Sequence, residues 1–212
     1  MILIGQYDSP YVRRVGIAAT LYGVAFENRP WSTFGDGEKI EAYNPARRVP
    51  ALVLDDGAVV VESAYALDWL DDRRRASGGE ALIPAGGVER REILYRTALA
   101  TGLSDKIVAL FYEKALHEVC SDLWLARCRA QIAASLKALD ALRAEASGDW
   151  LMGDALTHAD IALGCTLQHA RESSRDEIDL DAWPALAAHN ARCEASPAFQ
   201  AIYKPFTGPG DS

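Results

Sequence analysis

Pro50 stands at the head of an apolar run, Ala51-Leu52-Val53-Leu54. After it come the turn Asp55-Asp56-Gly57, a second β-rich run from Ala58 to Val61, and the pair Glu62-Ser63. This order constrains the fold more than any other stretch of the chain. Proline has no N–H to give to a ladder, so within a sheet it belongs at the first position of a strand. Asp-Gly between two β-rich runs is a strong hairpin signal. Glu62-Ser63 then lies at a helix start, where free N–H groups and the helix dipole favour a negative group. A proline at such a joint also admits a cis bond, which aims a neighbouring amide outward instead of into the sheet. The stretch predicts a site that grips a peptide-like ligand by its backbone and its carboxylate.

Upstream, Ile2-Leu3-Ile4 reads as a short buried strand, and Gln6 to Pro10 as a turn that ends at a helix. Ser9 has N-cap chemistry, and Pro10 has the fixed φ suited to the first helical position. The helix is expected from Tyr11 to about Tyr22, with Val12, Val15, Ala19 and Tyr22 on one face and Arg13-Arg14 beside it. Gly23 ends it. Ala25 to Arg29 alternates apolar and polar, which predicts a second strand. Phe34 to Tyr43, with Gly35 and Gly37, predicts a short irregular helix that Asn44-Pro45 breaks. After the hairpin, a helix from Ser63 to about Arg75 has Tyr65, Leu67, Trp69 and Leu70 as its apolar members. Strand, helix, strand, helix, hairpin, helix is a βαβ unit joined to a ββα unit. It predicts a thioredoxin-like α/β domain over residues 1–76 with a mixed four-stranded sheet.

Residues 77–87 read as a linker, being rich in Gly and interrupted by Pro84. From Val88 onward the pattern is helical, which predicts an all-helical bundle domain over 88–206 and a loose Gly/Pro tail over 207–212. Long helices are expected at about 88–118 and 122–146, the second with Ile132, Leu136, Leu139 and Leu142 at helical spacing. Thr157 and Asp160 form a capping box ahead of an apolar run, with Leu156 and Ile161 placed as a hydrophobic staple. Trp183-Pro184 and Ser196-Pro197 open two further helices.

Composition excludes several functions. A net charge of −8 without a basic stripe argues against nucleic acid and against an anionic membrane surface as partners. No apolar run approaches membrane-spanning length, and Met1-Ile2-Leu3-Ile4 lacks the basic lead of a signal peptide. Cys120, Cys128, Cys165 and Cys193 show no CxxC or metal spacing, which fits reduced thiols in a cytosolic protein. His117, His158, His169 and His189 are dispersed, and no metal is expected.

Together these motifs resemble the cytosolic glutathione transferase family over nearly the whole chain. The resemblance rests on Ser9-Pro10-Tyr11-Val12-Arg13-Arg14-Val15, Asn44-Pro45-Ala46-Arg47-Arg48-Val49-Pro50-Ala51-Leu52, Glu62-Ser63 and the Thr157-x-x-Asp160 box, in order and at family spacing. It implies a homodimer in the cytoplasm that uses glutathione as co-substrate, with a small electrophile as the other partner. It further implies that the backbone of Val49, before Pro50, pairs with the cysteinyl part of glutathione. Glu62 and Ser63 would hold the γ-glutamyl end. Arg48, with Arg47 in reserve, would meet the glycyl carboxylate. The second substrate would be mostly apolar, with Tyr11, Phe111 and Tyr112 as candidate contacts.

Family variants activate the thiol with Tyr, Ser or Cys after the first strand. Both Tyr7 and Ser9 are available here. Ser9 sits at the helix N-cap, where its hydroxyl and the positive helix end both favour a thiolate. Tyr7 lies on the strand side of the turn, and the Ser9-Pro10-x-x-x-Arg14-Val15 pattern favours Ser9. Thioredoxin-like redox proteins place Cys-Pro-Tyr-Cys at this turn. Ser9-Pro10-Tyr11-Val12 lacks both sulfurs, so dithiol exchange there is excluded, and the reactive sulfur must be the ligand's. The expected reaction is attack of glutathione thiolate on an electrophilic carbon. Isomerase, dehalogenase and ether-cleaving relatives would use the same thiolate. The isomerase branch usually has a Ser-Ser-Cys run where this chain has Asp8-Ser9-Pro10. A non-catalytic glutathione-binding or regulatory protein of the same fold is the remaining alternative.

Overall fold

The computed structural model describes residues 1–209. The chain forms two compact units, one of residues 1–83 together with residues 196–209, the other of Pro84–Ala195.

The first unit is built on β1 (Ile2–Ile4), α1 (Pro10–Leu21), β2 (Glu27–Arg29), α2 (Gly37–Glu41), β3 (Ala51–Val53), β4 (Val59–Val61) and α3 (Ser63–Ala76). The sheet order is β2-β1-β3-β4, with β1–β2 parallel and the other two pairs antiparallel. This is the mixed four-stranded, thioredoxin-like sheet that the motif order predicts. Side chains of a strand alternate between faces. Leu3 and Leu52 thus join Val12, Val15, Ala18 and Ala19 of α1 and Ala66, Leu67 and Leu70 of α3 in one core. Ile4, Ala51 and Val53 point the other way and pack with Ile40 of α2.

Two elements are shorter than expected. Strand β2 begins at Glu27, not Ala25, because its ladder starts where Glu27 N meets Met1 O at 3.0 Å. The irregular helix contracts to Gly37–Glu41. Ahead of it Asp36 Oδ2 accepts from Ser32 N at 3.0 Å and stabilises a turn instead. The 77–83 stretch, linker-like in composition, is fastened to this unit. Leu82 N donates to the Tyr22 hydroxyl at 2.6 Å, and Arg75 Nη2 donates to Ile83 O at 2.7 Å. Tyr22 in turn bonds the buried Asp71 carboxylate.

The second unit contains α4 (Gly87–Leu116), α5 (Asp122–Glu145), α6 (His158–Ser173), a 3-10 turn at Leu180–Ala182, and α7 (Pro184–Ala195). Helix α6 is buried along most of its length, and α4 packs on both α5 and α6. The Thr157/Asp160 capping box forms as the sequence predicts. Asp160 is fully buried. It accepts from Thr157 N and Oγ1, both at 2.8 Å, and from Leu151 N at 2.7 Å. One carboxylate therefore caps α6 and holds the loop that precedes it.

From Ser196 the chain belongs to the first unit, through α8 (Pro197–Ala201). Arg13, buried on α1, donates to Phe199 O at 3.0 Å and to Ile202 O at 2.7 Å. Thr207, expected at the start of a loose tail, instead donates its N–H to Asp8 Oδ2 at 3.2 Å. The part of that tail at 210–212 lies outside the described residues.

Candidate active site

The first unit gathers most of the expected site residues through two backbone joints. One is the β3–β4 hairpin. Its register sets Ala51 opposite Val61, and continued past the strand ends it carries Val49-Pro50 toward Glu62-Ser63. The Val49–Pro50 bond is cis. The loop before it is held from within by Asn44, a buried side chain. Its amide donates to Arg48 O at 2.8 Å, and its oxygen accepts from Ala46 N at 3.1 Å. Asn44, expected only to break a helix, therefore builds the loop that presents Val49.

The other joint is the turn between β1 and α1. Gly5 has φ +126°, and a Cβ there would lie 2.5 Å from Val12 Cγ2 and 2.9 Å from Val49 Cβ. Val12 and Val49 close over a position that only glycine can occupy. The start of α1 is thereby held beside the Val49 joint. Ser9 is the N-cap of α1, and its Oγ accepts from Val12 N at 3.5 Å. A hydroxyl that accepts a cap bond through a lone pair still has its proton to donate. Tyr7 packs against the core beneath α1, and burial pushes its phenol above the ordinary value.

Across the hairpin joint, Glu62 is the N-cap of α3, with φ 69°, and makes no side-chain cap bond. Its carboxylate lies 3.2 Å from Arg48 Nη1 instead. Both side chains are largely exposed, 67% for Arg48 and 46% for Glu62, so the pair is weak and can yield to a ligand's charges. Arg47, with φ 53°, is turned to Glu41, its Nε donating to Oε2 at 3.0 Å. The two adjacent arginines thus face different partners, and Arg48 is the one beside Glu62. Ser63 is buried, and its Oγ accepts from Arg14 Nη2 at 2.7 Å.

Arg14 is a contact of Ser63 that sequence reasoning did not anticipate. It was expected beside the apolar face of α1, yet both Arg13 and Arg14 are buried. An Arg pair directly between Val12 and Val15 on an otherwise apolar helix was the available signal.

The candidate second-substrate residues divide between the units. Tyr11 is half-buried on the first turn of α1. Phe111 and Tyr112 are half-buried on α4, their rings edge to face at 5.5 Å. Phe111 also lines a cavity of about 210 Å³ within the helical unit, with Leu110, Lys114, Ser174 and Glu177. Glu177 sits between Arg129, at 2.8 Å, and Lys114, at 2.8 Å, and these cations hold its carboxyl down to about 2. All four cysteines are free, with Cys128, Cys165 and Cys193 buried. Among the described residues, no cluster of His, Cys, Asp and Glu is arranged to hold a metal ion, and no helix is long and apolar enough to cross a membrane.

Comparison with known proteins agrees with this geometry in both halves. The family description "Glutathione S-transferase, N-terminal domain" matches residues 3–78, and "Glutathione S-transferase, C-terminal domain" matches residues 122–192. The probable glutathione S-transferase BZ2 of Zea mays is 31% identical over 95% of this chain and 89% of its own. Maleylacetoacetate isomerase of Mus musculus is 25% identical over 94% of this chain and 90% of its own. A glutathione S-transferase of Methylobacterium radiotolerans, solved in complex with glutathione sulfonate, superposes with a TM-score of 0.86. It is 30% identical and covers 98% of this chain and 97% of its own. With both domain descriptions matched and the sheet, cis-proline joint and capping box in place, this chain belongs to the glutathione S-transferase family.

Proposed function

We propose that the chain binds glutathione along Val49-Pro50 and Glu62-Ser63 and activates its thiol for attack on an electrophilic, mostly apolar second substrate. The observation that carries this reading is the convergence of Val49, Glu62, Ser63 and Arg48 at one end of the β3–β4 hairpin, with Gly5 holding the Ser9 turn against Val49. The solved Methylobacterium relative in complex with glutathione sulfonate supports the choice of ligand.

In this reading the backbone of Val49 pairs with the cysteinyl peptide. Ser63 and the first N–H groups of α3 take the γ-glutamyl carboxylate, and Glu62 takes the γ-glutamyl amino group. Arg48 leaves its exposed pair with Glu62 for the glycyl carboxylate. Arg47 is the reserve, already engaged by Glu41. Ser9 donates a hydrogen bond to the glutathione sulfur and stabilises the anion. The thiol proton passes to water, a carbon–sulfur bond forms, and a leaving group such as halide departs with its electron pair. Tyr7 is less suited, because its ring is committed to the core. Tyr11, Phe111 and Tyr112 are assigned to the second substrate. The same reading makes the protein a cytoplasmic homodimer.

One observation favours a second reading. Several relatives are maleylacetoacetate isomerases, among them the mouse protein and that of Pseudomonas aeruginosa at 27% identity. An isomerase would add the same thiolate reversibly to an unsaturated carbon and return glutathione unconsumed. Asp8-Ser9-Pro10 departs from the Ser-Ser-Cys run of that branch, which is why conjugation is preferred. Retention of the wild-type protein on a glutathione resin, followed by thiol consumption with an activated aryl halide, tests the first reading. Failure to bind the resin overturns both. Conversion of maleylacetoacetate without thiol consumption, and no turnover of aryl halides, favours the second.

A further inference from the structure

We infer that residues 204–207 form a latch on the turn that carries Ser9: they hold the Asp8 carboxylate on the Thr207 N–H and offset its negative charge with the Lys204 ammonium, which keeps that charge from opposing a thiolate at Ser9. Asp8 is then a positioning residue of the thiol step, and the inference rests on the glutathione reading above.

Asp8 stands directly before Ser9, where a carboxylate works against a neighbouring anion. Consecutive Cα atoms are about 3.8 Å apart, so the carboxylate lies roughly 10 Å or less from a sulfur hydrogen-bonded to Ser9 Oγ. With an effective dielectric constant of about 20–80, one full charge at that range raises a thiol pKa by about 0.3–1.2. Asp is also a strong N-cap residue, yet α1 is capped by Ser9. The Asp8 side chain is used otherwise.

The C-terminal segment supplies its partners. Residues 199–203 are fastened to the middle of α1. Arg13 donates to the carbonyls of Phe199 and Ile202, and its guanidinium lies over the rings of Phe199, at 5.5 Å, and Tyr203, at 5.4 Å. One turn on, Gly16 admits Ile202 so closely that a Cβ there would stand 2.8 Å from Ile202 Cγ2. From this anchorage the chain runs back toward the start of α1, where Thr207 N donates to Asp8 Oδ2 at 3.2 Å. Lys204 and Thr207 are both half-buried along the way. Burial pushes the Asp8 carboxyl up, while the Thr207 N–H and the Lys204 charge pull it back toward the ionised form. One short segment therefore brings a donor and a cation to the carboxylate beside Ser9, and Arg13 fixes where that segment starts.

The test is a double-mutant cycle read on the thiol itself. The pKa of bound glutathione is followed by the ultraviolet absorbance of its thiolate in wild type, Thr207→Pro, Asp8→Asn and the double variant. Proline at 207 removes the N–H donor. Asn at 8 keeps an acceptor oxygen and removes the charge. Thr207→Pro should raise the thiol pKa by about 0.3–1.2, which is about 2- to 15-fold less thiolate well below it. Asp8→Asn should leave the thiol at or below its wild-type pKa, and adding Thr207→Pro to Asp8→Asn should change nothing further. An equal rise in both backgrounds would mean that the segment acts by position alone, and no rise in the wild-type background would mean that the charge does not reach the sulfur; either result overturns the inference. Should Thr207→Pro not fold, Lys204→Gln takes its place with the same two expectations. Failure of wild type to bind glutathione at all is a separate result and strikes the underlying reading.

Discussion

Replacing Ser9 by Ala separates its role as the helix cap of α1 from the thiol activation proposed for it. The structural role is small. Ser9 Oγ stands 3.5 Å from Val12 N, at the outer limit of a hydrogen bond. Its loss should cost at most about 0.5 kcal/mol, the low end for a cap, and shift the melting temperature by about 1–2 °C. The chemical role is larger. A hydrogen bond to a charged acceptor contributes about 2 kcal/mol, which lowers a thiol from about 8.5 to about 7. At pH 6.5 the ionised fraction is then about 24% with the bond and about 1% without it. A more basic thiolate is the better nucleophile, with a Brønsted slope of about 0.45, which returns a factor of about 5 to the variant. The net expectation is a rate about fivefold lower at pH 6.5, closing as pH rises and reversing above about pH 8, with the variant faster where both thiols are ionised. At pH 6.5 glutathione affinity should stay within about twofold, because most bound thiol is still protonated there and the proposed bond acts on the anion. The assay is the pH profile of aryl-halide conjugation under saturating glutathione, with a melting curve beside it. A loss that is equal at every pH would refute thiolate stabilisation by Ser9. If Tyr7→Phe flattens the profile and Ser9→Ala does not, the role belongs to Tyr7.

Three further predictions follow from packing and burial. Gly5→Ala forces a Cβ to within 3 Å of both Val12 and Val49 at φ +126°. Strain and overpacking together should cost about 2–5 kcal/mol in urea denaturation and weaken glutathione binding in the folded fraction; a variant as stable and as tight as wild type would mean the turn is not held by that contact. Asp160→Ala leaves Leu151 N, Thr157 N and the Thr157 hydroxyl without their acceptor, a loss of about 3–5 kcal/mol in the same assay, with Asp160→Asn intermediate. His189 is fully buried, and burial pushes its pKa below the ordinary value despite the raising influence of Asp160. The unfolded chain therefore takes up a proton that the folded chain refuses. Its contribution to stability is complete above the unfolded value of about 6.5 and declines as pH falls from there toward the depressed folded value. Denaturation midpoints measured from pH 8 to 5 should fall in wild type and fall less in His189→Gln; identical slopes would show that another group titrates.

Much of this molecule is legible in the sequence because its signals are local. Pro50 ahead of an apolar run, Asp-Gly in the hairpin and Ser9-Pro10 at a helix start each act within a few residues through steric and hydrogen-bonding rules. They locate β3, β4 and α1, and with them the mixed sheet and the positions of Ser9, Val49 and Ser63. The Thr157/Asp160 box is legible for the same reason. Composition likewise separates a mixed α/β half from a helical half.

What only the tertiary structure decides are relations between residues far apart in the chain. Arg14 meets Ser63 because α1 and α3 pack on the same face of the sheet, a contact that no local pattern encodes. Whether Arg47 or Arg48 lies beside Glu62 depends on a positive φ at Arg47, which turns it toward Glu41 and leaves Arg48 beside Glu62. The compact units likewise reach past the change in composition. Tyr22 and Arg75 bind residues 82 and 83, and Arg13 and Asp8 draw the chain after Ser196 onto the first unit. A residue's own propensities say what it can donate or accept. Which group receives the bond is settled only when the packed sheet and helices bring the two together.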